Sequence, residues 1–231
     1  LPYVMIFLNK VDSIYLTHND TLYSIDNKYD YDCIEYYEFL TQTREEVNKS
    51  TYISIKNNNV QIALPININS NSLIKIDEKC PRIFCDFPLI GTENFPFPAI
   101  VQSRFFNPTE PRDSIYLSQS DESEVVQNVD LMQQALSLFG NMCDFLSEKK
   151  IDKLCYLFDI NRKYVDENVD AYWLDTELID KLNDKLLHAD LIKLTNGSFT
   201  AIVDIWDNAQ VYFPHNTKKE IRKGLWKLYY S

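Results

Sequence analysis

Residues 125–146, VVQNVDLMQQALSLFGNMCDFL, decide the fold class of this chain. Val125, Val129, Met132, Leu136, Phe139, Cys143 and Leu146 step by three or four residues, the spacing that places apolar side chains on one face of an α-helix. A second stripe, Leu131, Leu138 and Phe145, predicts a helix that buries two faces, lying between a sheet and later helices. Asp121 and Glu124 have the spacing of a capping box at its start.

Upstream of the polar stretch 118–123 the period is two rather than 3.6, so residues 1–118 read as a β-rich, transducer-like segment. The apolar run 3–8 reads as a buried strand. Residues 13–17 and 21–25 flank the turn-prone His18-Asn19-Asp20, and residues 51–56 meet 60–64 across Asn57-Asn58-Asn59, which predicts two hairpins. Between them, residues 31–47 mix aromatics and acids at roughly helical spacing and predict one helix. Residues 73–76, 82–87, 98–101 and 114–117 are further strand candidates.

Downstream, residues 119–231 read as a helical subdomain with a β-hairpin, packed separately or as one unit with the first segment. Helices are predicted at 151–158 and 175–188, the latter carrying Leu178, Leu182 and Leu186. Residues 190–195 and 198–205 bracket Asn196-Gly197, a dipeptide suited to a two-residue hairpin turn. A last helix starts at the capping pair Thr217 and Glu220 and carries Lys218, Lys219, Arg222, Lys223 and Lys227, the basic patch of an acidic chain. The expected fold class is α+β: a mixed β-sheet in the first half covered by a long helix, followed by a helical subdomain containing a β-hairpin.

Composition narrows the functional classes. Of 231 residues, 45% are hydrophobic and 13% aromatic with only 4 glycines, so the chain orders around a core rather than behaving as linker. A net charge of -11 repels phosphate backbones and argues against nucleic acid as a partner. No stretch reaches the ~20 apolar residues of a membrane-crossing helix, so no membrane partner is expected. Five cysteines, Cys33, Cys80, Cys85, Cys143 and Cys155, show neither a CxxC pair nor histidine neighbours, a pattern that fits a reducing cytoplasm rather than a disulfide framework or zinc site. His18, His188 and His215 form no metal motif, there is no Gly-x-Ser-x-Gly elbow, and the acids Asp30, Asp32, Glu35 and Glu38 read as a solvated helix face rather than a cation site. The first residue is Leu, which reads as the start of a piece of a longer chain.

The densest local signal is FPLIGTENFPFPA at 87–99, followed by SRFFNPTEPR at 103–112. Pro88, Pro96 and Pro98 fix φ and remove ladder donors, which forces a rigid loop rather than a regular strand pair. Such a loop either plugs one edge of the core or aims side chains outward.

Phe87-Pro88-Leu89, Phe97-Pro98, Phe105 or Phe106, and Arg112 resemble the pattern found just behind the nucleotide-binding module in sacsin-like members of the GHKL ATPases, the superfamily of the ninety-kilodalton heat-shock chaperones and MutL-type repair proteins. The opening Leu1-Pro2-Tyr3-Val4 with Phe7 is similar to the exit from such a module. The likeness is carried by residues 80–117. The family's ATP is held by a Glu-xxx-Asn helix, an Asp-x-Gly-x-Gly loop and a Gly-rich lid. Here the glycines Gly91, Gly140, Gly197 and Gly224 are isolated, and Glu124 to Asn128 fits Glu-xxx-Asn without the adenine-reading loop, so Glu124 reads as a cap residue.

The resemblance therefore implies no cofactor within this chain, with ATP and Mg held by an upstream nucleotide-binding domain of the same parent protein. It implies a transducer segment that couples closure on ATP to later domains and supplies one cation to the γ-phosphate. Arg112 is the first candidate catalytic residue and Arg104 the second; the competing reading pairs Arg112 with Glu110 or Asp113 on the surface. A non-catalytic scaffold module that uses the aromatic-proline loop to bind a client or a second copy is the other functional class.

Overall fold

The computed structural model describes residues 1–8, 10–194 and 197–207. Five strands form an antiparallel meander: β1 (Ser13–Leu16), β2 (Thr21–Tyr31), β3 (Ile34–Gln42), β4 (Val47–Lys56) and β5 (Gln61–Asn67). The short β6 (Ser72–Leu73) folds back on β5. β7 (Ile83–Cys85), β8 (Phe87–Pro88) and β9 (Ile100–Gln102) extend the same sheet in the order β5-β9-β7-β8. β9 and β7 run parallel, which makes the sheet mixed. The chain is α+β, as the change of period at residue 118 predicts.

Residues 31–47 are not a helix. Asp32 and Cys33 both have positive φ, 48° and 59°, so they form a tight two-residue turn that joins the long strands β2 and β3. Cross-strand register places Tyr37, Phe39 and Tyr52 on one face, and Tyr36, Ile53 and Leu64 on the other. Because both faces are partly covered, the apolar residues of β3 do not alternate cleanly with polar ones, and the run imitates a helical period.

The apolar run at 3–8 departs in the opposite sense: it is a helix, α1 (Pro2–Leu8), with Pro2 in its first turn where no donor is lost. Tyr3 meets Tyr52 edge-on, with ring centroids 5.1 Å apart, and Phe7 meets Phe84 at 5.2 Å, so α1 covers the first face. On the other face lies α2 (Ser123–Glu148), whose Phe145 packs edge-on to Tyr36. Both apolar stripes of α2 are buried, Val129 only in part, and it packs against β5 on one side and against the helix Asp180–His188 on the other. Its start differs from the expected capping box, since the N-cap is Glu122 and no side chain caps the helix.

After α2, the helix predicted at 151–158 shortens to a 3-10 turn, Leu154–Phe158. Residues 114–117 make bridges rather than a strand, Pro108 to Ile115 and Leu117 to Val169. The helix expected at 175–188 begins earlier, as α3 (Ala171–Trp173) capped by Asp170, whose carboxylate accepts from Trp173 N at 2.8 Å. It passes through a π-helical segment, Leu174–Ile179, into α4 (Asp180–His188). The hairpin around residue 196 is present as β10 (Ile192–Lys193) against β11 (Phe199–Thr200), but Ile202–Asp207 is a 3-10 turn rather than a continuing strand. The predicted terminal helix with its basic patch lies outside the described residues. Buried side chains from Tyr3 to Leu191 belong to one contiguous core.

Candidate functional site

Residues 107–115 fold into a loop closed at its base by the Pro108–Ile115 bridge and organised around the buried hydroxyl of Thr109. Thr109 Oγ1 donates to Asp113 Oδ1 at 2.7 Å and accepts from the backbone N–H groups of Asp113 at 3.3 Å and Ser114 at 3.2 Å. Backbone bonds add Thr109 N to Ser114 O at 3.0 Å and Arg112 N to Thr109 O at 2.8 Å. The consequence is a fixed Arg112 with φ of 56°, the left-handed region that a non-glycine residue adopts at a cost of about 1–2 kcal/mol.

Neighbouring segments hold this loop from three sides. Ser114 Oγ donates to Asp166 Oδ2 at 2.6 Å, and Tyr164 and the backbone of Asn168 also donate to that carboxylate. Desolvation works to raise the Asp166 carboxyl, but the bonds from Ser114, Asn168 and Tyr164 outweigh it and hold the group below the usual carboxylate range. On a second side, Gly91 has φ of 123°, and a Cβ there would lie 2.8 Å from the backbone oxygen of Asp113. Only glycine lets the proline-rich loop approach so closely. Third, Asn128 on α2, fully buried, receives Asn107 N at 2.8 Å and donates to the carbonyls of Asn107 at 2.9 Å and Tyr116 at 3.2 Å.

The Arg112 side chain is exposed, and its Nη2 donates to the backbone carbonyl of Cys85 at 3.2 Å. Neither Glu110 nor Asp113 takes it up; Asp113 is engaged with Thr109, and Arg112 makes no carboxylate ion pair among the described residues. A guanidinium fork carries five N–H donors in a plane that matches a carboxylate or phosphate, and the carbonyl of Cys85 takes up Nη2. Burial pushes the Cys85 thiol up, and Arg112 beside it draws it back only in part. Arg104 is exposed too and lies over the ring of Phe105, 5.9 Å from its centroid.

The proline-aromatic segment divides its side chains between two roles. Leu89, Phe95, Phe97 and Phe106 are core residues, Phe97 packing edge-on to Phe139 at 5.6 Å, while Thr92 Oγ1 ties the loop inward by donating to Leu89 O and accepting from Ile83 N. By contrast Phe87, Ile90 and Phe105 are 59%, 64% and 43% exposed, on the segments that meet at the Arg112 loop.

The remaining sequence candidates disperse. Asn128 clamps a backbone from a buried position, and Glu124 is a first-turn residue that caps nothing. The four acids lie on the β2–β3 hairpin, not on a helix: Glu35 is buried beside Lys56 at 2.8 Å and Lys28 at 3.4 Å, and Asp32 meets Lys149 at 3.2 Å. His188 contacts the carbonyl of Asp184 one turn earlier, at 2.8 Å. Among the described residues, no group of three or more acids, histidines or cysteines converges as for a metal, and no helix is long and apolar enough to cross a membrane.

Sequence reading misses Thr109, Asp166 and Gly91 as the builders of the loop. The first two are ordinary polar residues brought together only by the fold. Gly91 carries a legible signal, since it is the lone glycine in a proline-rich run. Comparison with protein-family models, with curated proteins and with solved structures finds no match for this chain.

Proposed function

We propose that this chain is the transducer segment behind the nucleotide-binding module of a sacsin-like GHKL ATPase, and that Arg112 reaches the γ-phosphate when the two close. The observation that carries the reading is the Arg112 loop. A hydrogen-bonded scaffold holds an exposed guanidinium in a costly backbone conformation without a carboxylate partner. Strain of that kind persists where the surrounding structure imposes it, and an arginine aimed in advance at developing phosphate charge needs no reorganisation in the transition state. Phe87, Ile90 and Phe105 supply the apolar surface for docking, and Arg104 on Phe105 is the second cation at that face.

ATP and Mg belong to the upstream module in this reading. The isolated glycines of this chain offer no backbone cradle for a triphosphate, whereas an arginine delivered from another domain needs none. The buried thiols of Cys85 and Cys143 act as small hydrophobes, in keeping with a cytoplasmic setting.

The test is ATP turnover by the protein that carries both module and transducer. Arg112→Ala lowers the turnover number by roughly 10³-fold, the scale of an arginine delivered from another domain, with ATP affinity little changed. Unchanged turnover removes the proposal. The same exposed side chains favour a second reading, a non-catalytic scaffold module that binds a protein client or a second copy. Under that reading Phe87→Ser and Phe105→Ser abolish partner binding while Arg112→Ala leaves turnover untouched.

A further inference from the structure

A cleft of about 520 Å³ opens between the strand-edge segment 73–82, the proline-aromatic loop and the 156–163 turn. Its floor includes the buried side chains of Leu64, Leu73, Ile76, Phe95 and Phe97. Its walls carry charges, and the acidic ones are already engaged. Lys75 sits between Glu78 and Asp159, 3.0 Å from each, and both carboxylate oxygens of Glu93 accept from the Gly91 N–H at 3.0 and 3.2 Å. Arg162 donates to Asn183 at 3.0 Å, and Lys163 is exposed at the rim.

Arg82 is the exception. Its backbone is fixed on both sides, N–H to Thr92 O at 3.1 Å and carbonyl to Val101 N at 2.8 Å, so its position is set by the sheet. Its side chain lines the cleft half-buried, with no hydrogen bond and no carboxylate within ion-pair distance among the described residues. Burial draws the guanidinium below its ordinary value, and the neighbouring Cys80 and Tyr3, with Asp159 and Asp77 behind them, only partly restore it. A desolvated guanidinium without a partner is a destabilising feature that fold physics alone would replace. Perturbed ionisable groups of this kind, in a cleft of ligand size, mark binding sites.

We propose that this cleft binds a monocarboxylate with a compact apolar body, the carboxylate forking onto Arg82 and the body resting on the Phe95–Phe97 floor. On the same walls Glu78, Glu93 and Asp159 offset the charges of Lys75, Arg162 and Lys163, which leaves Arg82 as the uncompensated cation and suits a monoanion better than a phosphate ester. The site is separate from the Arg112 loop and does not rest on the reading given for it.

The experiment is titration calorimetry and thermal unfolding of the 231-residue chain with three probes of one body: phenylacetate, its neutral amide phenylacetamide, and phenyl phosphate. Phenylacetate binds saturably and raises Tm, and it binds at least about 10-fold more tightly than either of the others, the scale of one charged hydrogen-bonded contact. Arg82→Gln loses that margin without a fall in Tm, because it removes a charge with no ion-pair partner among the described residues rather than a structural contact. Equal binding of phenylacetate and phenylacetamide, tighter binding of phenyl phosphate, or no saturable binding overturns the proposal. So does an Arg82→Gln chain that unfolds several degrees earlier or binds phenylacetate as before.

Discussion

Arg112 holds a backbone conformation that its side chain disfavours, and the proposed role makes it a residue kept for contact rather than for stability. Replacement by glycine relieves the left-handed strain, about 1–2 kcal/mol, against a backbone entropy cost of about 0.5–1 kcal/mol. Arg112→Gly is therefore expected to unfold in urea at the same concentration as the unaltered chain or slightly above it. A loss of more than about 2 kcal/mol would assign Arg112 to structure. Asn128 is the opposite case. Its three bonds close the backbone of Asn107 and Tyr116 inside the core, so Asn128→Ala strands buried polar groups and costs about 2–4 kcal/mol, read as a shift of the urea midpoint. Sequence makes Asn128 visible only as part of a Glu-xxx-Asn spacing; its real task depends on Asn107, twenty-one residues away, which no local pattern reveals.

Among the elements, the Arg112 loop depends on two struts that different experiments isolate. Gly91→Ala combines an unfavourable positive φ with a Cβ 2.8 Å from the Asp113 oxygen, and is expected to cost about 2–3 kcal/mol in a denaturant melt while displacing the loop. Asp166 ties Ser114 to the turn at 164–168, and its carboxyl is held below the ordinary range. A depressed carboxyl contributes stability above its unfolded value, about 3.9, and that contribution disappears as pH falls through the folded value. Asp166→Asn is thus less stable than the unaltered chain by about 1–3 kcal/mol at pH 7, and the gap closes below about pH 4 as the native carboxyl protonates. A gap independent of pH would show that the charge has no part in holding the loop.

At this scale the sequence was a mixed guide. The two stripes of α2 predict its burial between the sheet and α4, and Asn57-Asn58-Asn59 predicts the β4–β5 turn, because those signals are local. Residues 31–47 mislead because β3 is partly covered on both faces, and the Asp32-Cys33 turn lacks the glycine that announces such a hairpin. Residues 3–8 mislead because a short, fully apolar run carries no period at all.

For the whole molecule, the relevant fact is mechanical continuity. α1 and α2 clamp opposite faces of one sheet, and the buried side chains from Tyr3 to Leu191 form a single core. The Arg112 loop is bound to that body through α2 by Asn128 and to the proline-aromatic loop by the close approach of Gly91. Under the proposed transducer reading, a partner docked on Phe87, Ile90 and Phe105 would bear on the sheet and α2 as one body. The central claim is that this docking delivers Arg112 to a phosphate. The most direct measurement is single-turnover ATP hydrolysis by the protein carrying both nucleotide module and transducer, comparing the unaltered chain, Arg112→Ala and Arg104→Ala at saturating ATP. The account predicts a loss of roughly 10³-fold for Arg112→Ala and a much smaller one for Arg104→Ala, with ATP still bound in each. Hydrolysis at the unaltered rate in Arg112→Ala would contradict it.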